Sequence, residues 1–443
     1  MEAGPFSGRR LHFVGIGGAG MSGLALVARA LGAEVTGSDS AESSYSARLR
    51  EAGIEPRVGH GEPPPEGAEV VVSTAIAADN PELVHARAAG APVLHRGDLL
   101  GEVSALRRTI AVAGTHGKTT TASMTTLALV DAGRDPAFLI GGELRALGAN
   151  AGWGGGDWAV VEADESDRSF LKLAREVAVV TSVELDHHAT YRSLGELERA
   201  FESFVAPADL AVLGPGVELP SAARSLSYGI DSGDLQADGV ELLPLGSRFS
   251  VEGVEIELAV PGRHNVLNAL AALAACRAAG VEPAQAAPGL ARFTGAGRRF
   301  EDHGLTGGGA RVFDDYAHHP TEVRATLGAA RTQSPRRLVV CFQPHLYSRT
   351  RLLAREFGRA LALADLVVVL DVYPAREHAE DFPGVSGLLV AGAAADAAGG
   401  RPVWWLPGRS DAERLLRDEL GEGDVLLTMG AGDVDELARS LTS

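Results

Sequence analysis

The chain has 443 residues, 45% of them hydrophobic and 22% charged, which are globular proportions in a length that exceeds one core and predicts two or three domains. A formal net charge of −18 argues against nucleic acid or an anionic membrane as partner, so an anionic substrate needs a locally positive site. Two cysteines, Cys276 and Cys341, supply neither a disulfide framework nor a zinc site.

Residues 1–10 lack a charged segment followed by an apolar core, the pattern of a signal peptide. The apolar run 361–373 is interrupted by Asp365 and Asp371 and is too short to span a bilayer. The expectation is a soluble, cytoplasmic protein. In chain order, residues 11–16, 70–73, 110–113, 158–161, 177–181, 338–342, 366–370 and 425–427 read as buried strands, separated by Ala- and Leu-rich helical stretches, the pattern of parallel sheets covered by helices. Charged Arg107-Arg108 before one strand and Thr294-Gly295-Ala296-Gly297 before another suggest domain starts. The expected division is 1–106, 107–295 and 296–443.

The first strand runs into Gly15-Ile16-Gly17-Gly18-Ala19-Gly20, a helix follows, and residues 35–38 then deliver Asp39. Glycines let the backbone approach a diphosphate, a helix N-terminus offers N–H groups, and an acid at this distance suits a ribose. A dinucleotide cofactor, another nucleotide and tight packing all satisfy this motif. The second motif is sharper. Of 40 Lys and Arg residues only Lys118 and Lys172 are lysine, and Lys118 lies in Gly114-Thr115-His116-Gly117-Lys118-Thr119-Thr120, between a strand and a helix. Such a turn cradles phosphate oxygens, its Lys reaches the terminal phosphates and its Thr ligates Mg²⁺. The loop is shorter than G-x-x-x-x-G-K-[ST], since Val112 stands five before Gly117.

The strand at 158–161 ends in Glu162-Ala163-Asp164-Glu165-Ser166-Asp167, acids of the kind Mg²⁺ prefers. The strand at 177–181 leads to Asp186-His187-His188, a softer donor pair. Together with Gly262-Arg263-His264-Asn265-Val266-Leu267-Asn268, Asp314-Asp315-Tyr316-Ala317-His318-His319-Pro320-Thr321-Glu322 and Gln343-Pro344-His345-Leu346-Tyr347-Ser348-Arg349-Thr350, these segments make the whole chain resemble the Mur ligases.

The resemblance implies an α/β fold of three domains: N-terminal Rossmann-like for a UDP-sugar, central P-loop ATPase-like on a parallel sheet for ATP, and C-terminal Rossmann-like for an amino acid. It implies that Gly17, Gly18, Gly20 and Asp39 meet a UDP diphosphate and sugar rather than NAD, and that Gly114, Thr115, His116, Gly117, Lys118, Thr119 and Thr120 hold ATP phosphates. Thr119, Glu162 and His187 would lie at magnesium sites. His264, Asn265 and Asn268 would meet adenine, where amides both donate and accept, and Asp315 the ribose. Tyr316, His318, His345 and Arg349 would line an L-alanine pocket. Lys118, Glu162, His187, His318 and Arg349 are the expected catalytic set, with Arg349 as a bidentate carboxylate clamp and His318 or His319 taking the amine proton.

The implied reaction transfers the ATP γ-phosphoryl group to the lactyl carboxylate of UDP-N-acetylmuramate, and L-alanine then displaces phosphate. No nucleic acid or membrane partner is expected, a monomer or homodimer is, and the three ligand sites imply domain closure. Leu346 stands where relatives often carry Arg, and Ala189 where Asp is common. Some relatives carbamylate a lysine; residues 186–206 contain none, so no carbamate is expected. A ligase for a preformed tripeptide differs mainly in the C-terminal pocket. An NAD(P)-dependent oxidoreductase has no use for Lys118 and Glu162, and a nonenzymatic nucleotide-binding protein has none for the Tyr316 and His345 segments.

Overall fold

A computed structural model describes residues 4–188, 190–220 and 223–443. Its described residues form two compact units, one drawn from Met1–Leu185, Thr190–Gln236 and Asn268–Arg292, the other from Asp186–Ala189, Ala237–Leu267 and Phe293–Ser443. The Ala189 departure noted above lies outside the described residues.

The first unit carries two sheets. Five parallel strands lie in the order Pro56–Val58, Glu34–Asp39, Arg10–Val14, Glu69–Val72, Val93–His95. The helix Ala19–Ala30 follows the glycine turn and buries Met21, Leu24, Ala25, Val27 and Ala28, the one-sided pattern of a helix on a sheet. Its other contact is tight. A Cβ on Gly23 would meet Ala151 Cβ at 3.0 Å and Asn150 Nδ2 at 3.2 Å, and Asn150 Nδ2 donates to Ala19 O at 2.7 Å.

The second sheet has eight strands in the order Leu235–Gln236, Ser225–Gly229, Leu210–Leu213, Val177–Val180, Arg108–Ala113, Trp158–Glu162, Ala137–Leu144, Ala149–Gly152. All pairs are parallel except the last. The central strands Val177–Val180 and Arg108–Ala113 are buried almost throughout, which explains their unbroken Val, Ile and Ala content.

The second unit carries an antiparallel sheet of Asp238–Leu243, Gly246–Val251 and Val254–Leu258. It also has six strands in the order Glu301–Leu305, Arg311–Asp315, Val425–Met429, Leu338–Phe342, Leu366–Val369, Val403–Trp405, antiparallel only at the first pair. The expected α/β class on three parallel sheets therefore holds. The antiparallel sheet had no counterpart in the sequence reading. Among the described residues no helix is long and apolar enough to cross a membrane, and both cysteines are buried and free.

Candidate active site

Three adjacent strands of the eight-stranded sheet end together, with Ala113 in register with Val180 and Val112 with Glu162. Their carboxyl ends deliver the phosphate loop and the acids, at the edge where open α/β sheets bind ligands. Two loop glycines are required by geometry. Gly114 has φ +129° and Gly117 φ +79°; a Cβ on them would approach Thr181 Oγ1 to 2.1 Å and Asn268 Oδ1 to 2.4 Å.

The loop is pinned from the neighbouring strand. Thr115 N donates to Ser182 O at 3.0 Å, His116 N to Ser182 Oγ at 3.1 Å, and Thr115 Oγ1 to Glu184 O at 2.9 Å. His116 Nε2 lies 3.3 Å from Glu184 Oε2. The helix Lys118–Asp131 starts at Gly117, with no side-chain cap, which leaves first-turn N–H groups for an anion. Thr120 is buried on that turn.

Lys118 Nζ folds back onto Gly114 O at 2.7 Å, Thr115 O at 3.3 Å and Glu165 Oε2 at 3.0 Å. Burial pulls the ammonium down, but Glu165, Asp164 and Glu162 outweigh it and its pKa is raised, so it is charged at neutral pH. Glu162 accepts from Thr119 Oγ1 at 2.9 Å and from Gly141 N at 2.7 Å. Burial nevertheless raises the Glu162 pKa, against the pull of Gly141 and Lys118, the signature of a carboxylate short of positive charge. A hard hydroxyl and a hard carboxylate oxygen side by side fit Mg²⁺. His187, the third expected ligand, belongs to the other unit; it has φ +53°, and its Nε2 is 3.9 Å from Asp186 Oδ2.

At the glycine turn, Gly15 N and Ile16 N donate to Ser38 O at 2.8 and 2.9 Å. Asp39 Oδ2 accepts from Gly17 N at 2.8 Å. Gly18 caps the following helix without a side-chain bond. A Cβ on Gly20 would lie 3.1 Å from Arg96 Nη1. Asn268 Oδ1 accepts from Thr121 Oγ1 at 3.3 Å, fastening its helix to the helix behind the phosphate loop.

In the second unit, Arg349 does not present the open fork expected of a carboxylate clamp. Its Nε and Nη2 donate to Asp186 Oδ1 and Oδ2, both at 3.0 Å, in a pair 4% exposed on each side. Burial raises the Asp186 carboxyl, but Arg349, His187 and His318 prevail and hold it well below the usual range. Arg349 Nη1 faces His345 Nδ1 at 3.1 Å, and since guanidinium only donates, this histidine carries its proton on Nε2. Burial pushes His345 down to about 3, and its ring stacks on Tyr373 at 5.9 Å.

His318 Nδ1 lies 2.9 Å from Tyr316 O. It must donate there, so Nε2 holds the lone pair, and burial pushes the ring down to about 4. His319 instead caps the helix Pro320–Arg331, its Nδ1 accepting from Thr321 N at 3.4 Å; of the two histidines weighed as the amine base, only His318 presents a side chain not engaged in that cap. Tyr316 lies beneath Arg298 and Arg299, at 5.3 and 5.2 Å. Asp315 accepts from Phe300 N and Ala317 N, both at 2.8 Å, and burial pushes it up to about 6. His264 is pushed down to about 4 by burial, and Asn265 Nδ2 donates to Pro261 O at 2.8 Å. Leu346 is buried with φ +68°, an unusual conformation for a branched side chain.

Sequence reasoning missed Glu165, Arg96, Asp186 and Tyr373. Glu165 and Asp186 lay inside quoted motifs. Arg96 follows the last strand of the first sheet and was marked by no motif.

Comparison with known proteins places this geometry in a family. Residues 10–108 match the Mur ligase family, catalytic domain; 112–276 the Mur ligase middle domain; and 298–432 the Mur ligase, glutamate ligase domain. The chain is 46% identical to a UDP-N-acetylmuramate–L-alanine ligase of Streptomyces coelicolor, over 97% of this chain and 96% of that one. It is 48% identical to a protein of the same name from Kineococcus radiotolerans, over 96% and 94%. The crystal structure of a UDP-N-acetylmuramate-alanine ligase from Thermotoga maritima superposes with a TM-score of 0.83 at 31% identity, over 98% of each chain. A murein peptide ligase from Psychrobacter arcticus gives 0.72 at 26%, also over 98% of each.

Proposed function

The chain belongs to the Mur ligase family, and on that premise we propose that it joins L-alanine to the lactyl carboxylate of UDP-N-acetylmuramate in peptidoglycan precursor synthesis, with ATP converted to ADP and phosphate. The observation that carries an ATP-driven ligation over an oxidoreductase is the half-buried set Lys118, Thr119 and Glu162 at the carboxyl edge of the central sheet. For L-alanine over a tripeptide, the support is full-length identity of 46% and 48% to relatives named for alanine, against 26% to the murein peptide ligase. We assign the UDP-sugar to residues 1–106, ATP to 107–295 and the amino acid to 296–443, in a cytoplasmic monomer or homodimer.

A carboxylate is a poor electrophile, and its approach to a triphosphate opposes like charges by about 1 kcal/mol per unit pair at 4 Å in water, more in a closed site. Lys118 leaves its carbonyl partners and lies against the terminal phosphates, and the loop N–H groups hold them. Thr119 and Glu162 would hold Mg²⁺, which neutralises phosphate charge when bound. Phosphoryl transfer makes the lactyl group an acyl phosphate. The amine of L-alanine attacks its carbonyl carbon, the C–N bond forms and the C–O bond to phosphate breaks. The neutral Nε2 of His318 accepts the amine proton, which becomes acidic as nitrogen gives up its lone pair. The Nε2–H of His345 and the Nη1 of Arg349 orient the alanine carboxylate, while Asp186 fixes the guanidinium. His264, Asn265 and Asn268 are assigned to adenine and Asp315 to the ribose.

The test is phosphate release from ATP with UDP-N-acetylmuramate and L-alanine, glycine, L-serine or tripeptide in parallel. L-Alanine should support the fastest release, with a UDP-N-acetylmuramoyl-alanine product in the mass spectrum. Release only with tripeptide would transfer the chain to the recycling reaction. Release with no acceptor, or NADH oxidation instead, would end the ligase reading.

A further inference from the structure

Burial, charge and steric fit meet at Arg96, a residue that no motif marks and the reaction described above does not use. It opens the helix Arg96–Ser104 directly after the strand Val93–His95, on the carboxyl rim of the five-stranded sheet. Its side chain is 21% exposed. One nitrogen, Nη2, donates to Asp164 Oδ2 at 3.0 Å and to Asp167 Oδ2 at 3.4 Å. The other terminal nitrogen, Nη1, lies 3.1 Å from where a Cβ of Gly20 would stand, on the first turn of the helix after the glycine turn.

That turn has a specific electrostatic need. A UDP-sugar brings a diphosphate and a carboxylate to a protein of net charge −18, and the side chain already bound to the turn is the acid Asp39. Glycines and a helix N-terminus supply only partial charges. Arg96 supplies a full one, with a planar fork that can serve two anions at once.

We propose that Arg96 is a phosphate-binding residue of the UDP-sugar site: its Nη1 donates to the substrate diphosphate beside Gly20, while Asp164 and Asp167 hold its Nη2. This rests on the UDP-sugar reading above. It also gives Gly20 a reason beyond helix packing, since a Cβ there would make the guanidinium give way by a few tenths of an ångström.

The experiment measures binding of UDP alone by calorimetry, and the KM for UDP-N-acetylmuramate and for ATP, in wild type, Arg96→Met, Arg96→Lys and Asp164→Asn. Arg96→Met should weaken UDP and raise the KM for the sugar nucleotide by about 10- to 100-fold, the loss expected for one charge-assisted hydrogen bond, with a smaller change for ATP. Arg96→Lys should recover part of it, and Asp164→Asn should keep UDP binding within about threefold of wild type. Wild-type UDP affinity in Arg96→Met overturns the inference, and so does Asp164→Asn weakening UDP as much as Arg96→Met, because Arg96 then acts only as a structural partner. If Arg96→Met does not fold, Arg96→Lys decides: unchanged UDP affinity and an unchanged pH profile of binding reject the phosphate contact. No UDP binding by folded wild type refutes the UDP-sugar reading itself.

Discussion

Lys118 and Lys172 sit in opposite settings. Lys172 pairs with Asp98 at 2.5 Å on the surface, both about half exposed, where an ion pair contributes little. Lys118 is 15% exposed and divides its three donors among two loop carbonyls and Glu165. A guanidinium is wider, planar and unable to occupy that tripod. Lys118→Arg should therefore lower kcat by at least about 100-fold while the melting temperature moves only a few degrees; steady-state phosphate release and a thermal melt check both. The Asp186–Arg349 pair makes a complementary case. Asp186→Asn leaves a buried guanidinium without its counter-charge and should destabilise the protein by about 3–5 kcal/mol in urea unfolding. The double variant Asp186→Leu, Arg349→Met should regain most of that stability and none of the activity, separating the pair's structural from its positioning role.

At the scale of elements, Gly117 joins a strand to a helix in a conformation that Ala resists by about 1–2 kcal/mol, with Asn268 Oδ1 occupying the space of a Cβ. Gly117→Ala should raise the KM for ATP at least about tenfold, read in the same phosphate assay, and lower the urea midpoint. The strands that carry the site were legible because burial on both faces demands unbroken apolar runs: residues 110–113, 158–161 and 177–181 each became a strand. The sheet of Asp238–Leu243, Gly246–Val251 and Val254–Leu258 was not, because its first strand is largely exposed and alternates weakly. The glycine and lysine loops were legible for a local reason, since turn geometry and phosphate chemistry act within seven residues. The ion pair of Asp186 with Arg349 joins positions 163 apart, and the cap formed by His319 depends on where a helix starts. Neither leaves a spacing to read, so the clamp expected of Arg349 and the proton acceptor expected of His318 or His319 changed once their partners were visible.

For the whole molecule, pH divides the buried groups into two opposed sets. Burial lowers His264 and His318 to about 4 and His345 to about 3, from 6.5. The unfolded chain binds those protons first, so their effect is a loss of stability as pH falls from 6.5 towards 4. Asp315 works the other way. Its folded value of about 6 lies above the ordinary 3.8, so the folded chain binds the proton first and stability is lost as pH rises from 3.8 through 6. The difference is about 2 kcal/mol of destabilisation at pH 7 relative to pH 4. Asp315→Asn removes that dependence along with one acceptor for Phe300 N or Ala317 N. Its stability relative to wild type should therefore improve by about 2 kcal/mol between pH 4 and pH 7, whatever the fixed cost of the lost hydrogen bond. Urea unfolding of both proteins at the two pH values measures this directly, and a pH-independent difference would show that Asp315 titrates normally. A buried acid that weakens the fold at neutral pH is what a binding role would retain. Asp315→Asn should accordingly raise the KM for ATP even at pH 7, where it gains most in stability.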